Sequence, residues 1–312
     1  MDRRHFLESV AVLGAAAATV PAALAGCAPG AGKGWRGKFD ENLVCIISDL
    51  HTIPDGFTEE KLKRVLTDIL ALNPRPRHLI SLGDNAHLYG KPAEYARLKE
   101  ILAPLEGSGI RFTMAHGNHD KRANFAPYFP EQMASSALPD RLVHVVETPR
   151  ADLIVLDSLQ DPDNPDTYIG GGAIDDFQRA WLESRLASYT DKPVFVMAHH
   201  GIGETGLNGL LNASATCCGY IHGHDHVWRP GWNKKNWSER RILRTLCVPS
   251  TGYWGDIGYT LLRLEEDRAV ACLTQYEFFF LTPAEADEKP LPQWASITGD
   301  HQGATCTFNY LK

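Results

Sequence analysis

An α/β fold is predicted, with two mixed sheets flanked by helices on their outer faces. Three observations predict it. Short runs rich in Val, Ile and Leu alternate with longer stretches of helical periodicity. The first third reads strand, helix, strand, helix, strand, the pattern of parallel strands joined by crossover helices. From residue 242 onward, three apolar runs follow one another with no helical stretch between them, as in consecutive antiparallel strands. The chain has 312 residues and 44% hydrophobic content, which suffices for a large buried core.

The elements follow in order. LVCII (43–47) is the first strand. TEEKLKRVLTDILAL (58–72) is a helix, with Leu62, Val65, Leu66, Ile69 and Leu70 at helical spacing. Thr58 suits its N-cap, and Glu59 and Glu60 suit its first turn. HLISL (78–82) is the second strand, PAEYARLKEILAPL (92–105) the second helix and IRFTMA (110–115) the third strand. RLVHVVE (141–147) and DLIVLDS (152–158) read as a hairpin or two adjacent strands. AIDDFQRAWLESRLAS (173–188) is a strongly amphipathic helix. PVFVMA (193–198) and CCGYI (217–221) are further strands. ILRTLCVPS (242–250), YTLLRLEED (259–267) and AVACLTQYEFFFL (269–281) complete a β-rich C-terminal part, 242–282.

The N-terminus stands apart. Residues 1–26 have a charged start, an Ala-rich apolar middle and a small-residue end, the layout of a secretory signal. Arg3-Arg4 followed by His5-Phe6-Leu7 resembles a twin-arginine signal, and Leu24 to Cys27 resembles a bacterial lipobox. Cys27 is then the lipidated first residue of the mature chain. Residues 27–38, rich in Gly, form a flexible tether, and 39–312 form a single domain. The expectation is an extracytoplasmic protein anchored to a bacterial membrane through lipid on Cys27. The net charge of −7 argues against binding a nucleic-acid polymer. Besides Cys27 there are Cys45, Cys217, Cys218, Cys247, Cys272 and Cys306, none in a CxxC pair. Most lie in apolar runs, as buried free thiols do.

Five apolar runs end in polar motifs. The first meets Asp49 and His51, the second Gly83-Asp84, and the third Gly117-Asn118-His119-Asp120. PVFVMA meets His199-His200, and CCGYI meets His222-Gly223-His224-Asp225-His226. Sites of open α/β sheets form at the carboxyl ends of strands, so these residues are expected to form one cluster. Asp and Asn offer hard oxygens and His a borderline nitrogen, which suits a pair of divalent or trivalent ions such as Mn, Fe or Zn. Two such ions, about 3.5–4 Å apart, can clamp a phosphate and need a carboxylate between them. Gly83 lets the backbone turn closely beside Asp84.

These motifs, D-x-H, G-D, G-N-H-D, H and G-H-x-H in that order over about 43–226, resemble the calcineurin-like metallophosphoesterases. LDS (156–158) and the helix after it are similar to the branch holding class III cyclic-nucleotide phosphodiesterases. The resemblance implies a four-layer α/β/β/α sandwich and metal-dependent hydrolysis of a small phosphoester. It implies a phosphodiesterase, with a phosphomonoesterase or nucleotidase, or a non-catalytic metal-binding lipoprotein, as alternatives. It places Asp49, His51 and His226 on a first metal and Asn118, His199 and His224 on a second, with Asp84 bridging. His119 stands beside the substrate phosphate as the catalytic residue, oriented by Asp120.

Other polar residues have blander readings. His200 is one residue from His199 and is the alternative ligand. His116 and His222 are packed neighbours of the motifs, and Asp157 holds a nearby loop. His78, His87, His144 and His301 are surface or packed histidines. The segment 229–241, with Trp232 and Trp237, is either a lid over the substrate or a solvated hairpin loop. Tyr253 and Trp254 shape the same rim.

Overall fold

The computed structural model describes residues 39–233, 243–279 and 301–311. Residues 1–38, with the expected signal, Cys27 and tether, lie outside them, as do 234–241 of the expected lid and Ile242. Among the described residues, no helix is long and apolar enough to cross a membrane.

Two six-stranded mixed sheets face each other. In the first, β1 (Phe39–Ile47), β2 (Arg75–Ser81) and β3 (Arg111–Met114) run parallel. On the other edge of β1, β10 (Gly255–Leu264), β11 (Arg268–Phe279) and β12 (Thr305–Asn309) add as antiparallel strands. In the second sheet, β4 (His144–Glu147) pairs antiparallel with β5 (Asp152–Val155). Beyond β5, β6 (Val194–Ala198), β7 (Cys217–His222) and β9 (Leu243–Cys247) run parallel to it. The last strand, β8 (Arg229–Asn233), lies antiparallel to β9.

Strand periodicity splits each central strand between two cores. Val44 and Ile46 enter the core between the sheets, where they meet Phe195, Met197 and Ile221. Leu43, Cys45 and Ile47 point the other way, onto α1 (Phe57–Ala71) and α2 (Pro92–Leu102), through Leu62, Val65, Leu66 and Leu98. Val194, Val196 and Ala198 of β6 likewise face outward onto Leu182 and Leu186 of α5 (Asp176–Ala187) and Leu211 of α6 (Asn208–Ala213). Three cores therefore separate four layers, and strands buried on both faces read as unbroken apolar runs. Each fully buried Val, Leu or Ile contributes roughly 1.5–3 kcal/mol. Two short helices, α3 (Arg122–Phe125) and α4 (Pro130–Ala134), follow β3.

The sequence expectations need four corrections. α1 begins at Phe57, with Gly56 as its N-cap and no side-chain cap. Thr58 is buried and its hydroxyl instead donates to the His51 carbonyl at 3.0 Å, tying the helix start to the strand-end loop. The 92–105 stretch is helical to Leu102 and ends in a 3₁₀ turn over Ala103–Leu105. The 173–188 helix starts at Asp176, because Asp175 caps it by accepting from the Gln178 N–H at 2.8 Å. Finally, β8 and β12 are additional strands.

Candidate metal centre

The loops after β1, β2, β3, β6 and β7 converge at the seam between the sheets. Each stays tied to its neighbour beyond the strand end. Asp49 N–H donates to the Gly83 carbonyl (3.0 Å), His51 N–H to Asp84 O (2.9 Å), Ala115 N–H to Ser81 O (2.8 Å) and Gly223 N–H to His199 O (3.0 Å). Two glycines allow the close approach. Gly83 has φ of +104°, where side chains are strained, and a Cβ there would lie 2.6 Å from Gly117 N. A Cβ on Gly223 would lie 1.9 Å from Ser48 Oγ and 2.7 Å from Asp49 Oδ2.

All seven residues expected to hold metal come together, in two groups that share Asp84. Asp49 Oδ1 lies 3.2 Å from His226 Nε2, which is 3.3 Å from His51 Nε2. His51 Nε2 is 3.5 Å from Asp84 Oδ2. The same Asp84 oxygen is 3.2 Å from His199 Nε2, which faces Asn118 Oδ1 at 3.0 Å and His224 Nδ1 at 3.3 Å. Asp84 thus lies between the two groups.

The protons show what the arrangement suits. Nδ1 of His51 lies 2.8 Å from the His87 carbonyl, that of His226 3.0 Å from Trp254 O, and that of His199 2.9 Å from Leu82 O. A carbonyl only accepts, so each of these nitrogens carries the hydrogen. In the neutral rings, three Nε2 lone pairs then point at each other and at carboxylate and amide oxygens. Buried acceptors facing acceptors are costly unless a cation lies among them. The oxygen and imidazole donors fit a pair of divalent ions.

The local fields are strong. Burial raises the Asp84 carboxyl, but the charges of His199 and His119 outweigh it and hold the group well below the usual range. Asp49 is lowered too: burial is overcome by His226. Burial pushes His51 down to about 3. His199 goes the other way, to about 9, because the Asp84 charge overcomes its burial. Asp49, His51, Asp84, His224 and His226 also hold left-handed backbones, with φ of 54°, 44°, 49°, 71° and 58°. Such conformations are uncommon for non-glycine residues and gather at functional sites.

His119 borders the centre, with Nε2 4.0 Å from Asp84 Oδ2. Its orienting partner is the Leu88 carbonyl, 2.9 Å from Nδ1, which corrects the role expected for Asp120. Asp120 is buried, and its oxygens accept from Gly117 N–H, Asn85 N–H and Nδ2, Ala86 N–H and the Tyr95 hydroxyl. It fastens the second and third strand-end loops together.

His200 lies beside His199 and His224. Its Nδ1 meets the Ser158 hydroxyl at 2.8 Å, whereas His199 Nε2 lies 3.2 Å from Asp84 and 3.0 Å from Asn118. His116 is buried against Asp157, which also accepts from Arg122 and from the Leu142 and Leu159 N–H groups. Asp157 therefore holds a loop, as expected. Tyr253 packs on His51 (ring centroids 4.6 Å apart) and Trp254 stacks on His226 (4.4 Å), so both border the centre. Sequence reasoning missed Tyr168, whose ring centroid lies 4.2 Å from that of His119. Its loop is tied to the G-N-H-D segment by Lys121, which donates to the Pro162 and Asn164 carbonyls.

Sandwich and centre together define a phosphoesterase architecture. Residues 43–228 match the model of the calcineurin-like phosphoesterases, and the chain belongs to that family. It is similar to a probable cyclic nucleotide phosphodiesterase of Rhodopseudomonas palustris, 29% identical over 171 residues, 52% of this chain and 58% of that protein. It is also similar to a glycerophosphodiester phosphodiesterase of Enterobacter lignolyticus, 28% identical over 142 residues, 44% of this chain and 46% of that protein. The chain spans about half the length of these curated relatives. A dimetal phosphatase from Danio rerio has the same fold, with a TM-score of 0.57 at 14% identity over 73% of this chain and 94% of that one.

Proposed function

We propose that this protein hydrolyses small phosphodiesters at a dinuclear metal centre. The observation that carries the reading is the convergence of imidazole nitrogens and carboxylate oxygens on both sides of Asp84 Oδ2. Asp49, His51 and His226 would hold one ion and Asn118, His199 and His224 the other, with Asp84 shared. The ions, drawn from Mn, Fe and Zn, supply Lewis acidity toward phosphoryl oxygens and lower the pKa of water. The chain does the rest. With Nδ1–H held by Leu88 O, His119 presents Nε2 to the centre. When Nε2 also carries a proton, the ring can pass it to the departing oxygen and keep the Nδ1–H.

The flanks suit an ester bearing a ring or an apolar alcohol. Tyr168 lines the His119 side, and Phe57, stacked near Tyr253, lines the other. Phe57 and Tyr168 are 49% and 42% exposed, so both remain open to a substrate. Nucleotides, glycerophosphodiesters and lipid-linked phosphates are the candidate substrates. The diester preference is supported by what the two curated relatives are named for.

The reading also includes export and tethering through lipid on Cys27, supported by the charged start, apolar middle and LAGC end of residues 1–27. A Cys27→Ala variant is expected to leave the membrane fraction, and its full retention there would remove the lipid anchor from the proposal.

The enzymatic test uses the full chain purified without chelator. Metal content is measured, then turnover of bis-p-nitrophenyl phosphate and p-nitrophenyl phosphate with added Mn²⁺. About two ions per chain and diester turnover lost in Asp84→Ala and His119→Ala are expected. Monoester turnover alone would make it a phosphatase, and bound metal without turnover a binding protein. Absence of metal would overturn the reading.

A further inference from the structure

A second donor cluster lies beside the centre. His222, Asp225 and Cys247 offer a nitrogen, an oxygen and a sulfur within 4.8 Å of one another. None of the three belongs to the dinuclear ligand set. His222 ends β7, Cys247 ends β9, and the two are direct partners in the parallel register. Paired residues on neighbouring strands project to the same face, so two rigid strands present imidazole and thiol side by side. Asp225 joins them from a turn closed by its own N–H on the Gly223 carbonyl at 2.9 Å. That carbonyl also accepts from His222 Nδ1 at 2.9 Å and from Cys247 Sγ at 3.3 Å, so one acceptor gathers all three residues.

We propose that His222, Asp225 and Cys247 form a separate site for a single borderline divalent cation of the zinc type. The chemistry differs from that of the neighbouring centre. Asp49, His51, Asp84, Asn118, His199, His224 and His226 supply only oxygen and nitrogen, whereas this cluster adds a thiolate, which selects softer ions. Cys247 is fully buried, but Asp225 is 31% exposed at its side chain and opens the cluster to solvent. Its partner Arg229 is 42% exposed, so that surface ion pair exchanges readily for a metal ion. Binding replaces the Cys247 S–H bond by a metal–sulfur bond and releases one proton to solvent. A cation there would brace the turn that carries His224 and His226.

The test is cobalt loading of the purified full chain, followed by near-ultraviolet absorption and metal counting. The dinuclear ligands contain no sulfur, so a thiolate-to-cobalt charge-transfer band can come only from a cysteine site. The expected result is such a band with about three cobalt ions per chain, falling to about two without the band in Cys247→Ser. Asp225→Asn, which leaves the buried sulfur in place, should raise the cobalt concentration needed for half the band by about tenfold or more. No band in the fully loaded wild type, or a band that survives Cys247→Ser, would overturn the proposal. Either outcome leaves the two sulfur-free equivalents to be judged separately.

Discussion

Asp84 meets more demands than any other side chain of the centre. One of its oxygens faces His51 and His199, the other accepts from the His119 N–H at 2.8 Å, and its backbone is left-handed. Removing the carboxylate removes the one group shared by both sets, but the backbone strain depends on what replaces it. Asp84→Ala keeps a Cβ at φ near 49°, whereas Asp84→Gly does not. Both variants are expected to be inactive, with the glycine variant more stable by about 1 kcal/mol in chemical denaturation. Equal stability, or a more stable alanine variant, would show that the backbone there is unstrained. The candidate ligands were legible because each lies within five residues of the end of an apolar run. The job of Asp120 was not, because G-N-H-D reads alike whether its last carboxylate meets His119 or the backbone of residues 85–86. Tyr168 carried no signal, since an exposed tyrosine in a loop acquires meaning only from the histidine it lands on.

At the level of elements, α2 reaches into the site through one hydroxyl. Tyr95, fully buried, donates to Asp120 Oδ1 at 3.0 Å and accepts from the Lys121 N–H at 2.8 Å. Tyr95→Phe leaves both groups buried with a lost partner. It is expected to cost about 1–3 kcal/mol of stability and to lower kcat, because Asn118 and His119 ride on the same loop. An unchanged denaturation midpoint and kcat would count against this coupling. The strands that place the site were readable from their apolar runs. β12 was not, although its buried Cys306 and Phe308 alternate with exposed Thr305, Thr307 and Asn309. Five residues, separated by a long stretch from their partner β11, give too short a pattern to stand alone. β8 was hidden for another reason: the sequence RPGWN contains Pro and Gly, which weaken a strand reading, yet it lies at the sheet edge, where Pro is tolerated.

For the whole molecule, two histidines remote from the centre set an acid limit. His78 on β2 and His144 on β4 are buried, and burial pushes each down to about 4. The unfolded chain takes up these protons near pH 6.5 and the folded chain only near 4. Unfolding therefore draws protons between those values, and stability falls as the pH drops through that window. The slope is up to about 1.4 kcal/mol per pH unit for each histidine. Denaturation at pH 7, 6 and 5 should show it, and His78→Gln with His144→Gln should flatten it. A slope unaltered by both changes would assign the acid limit to other groups.

The seam between the sheets also dictates an order of events. Asp49, His51, Asp84 and Asn118 follow strands of the first sheet, and His199, His224 and His226 follow strands of the second. A nascent chain that has emerged only as far as β5 carries the first four and lacks the other three. Neither half completes either expected set: His226 must join Asp49 and His51, and Asn118 must join His199 and His224. The full set exists only once the two halves have docked, so a completely formed centre reports that the strands of both sheets have come together.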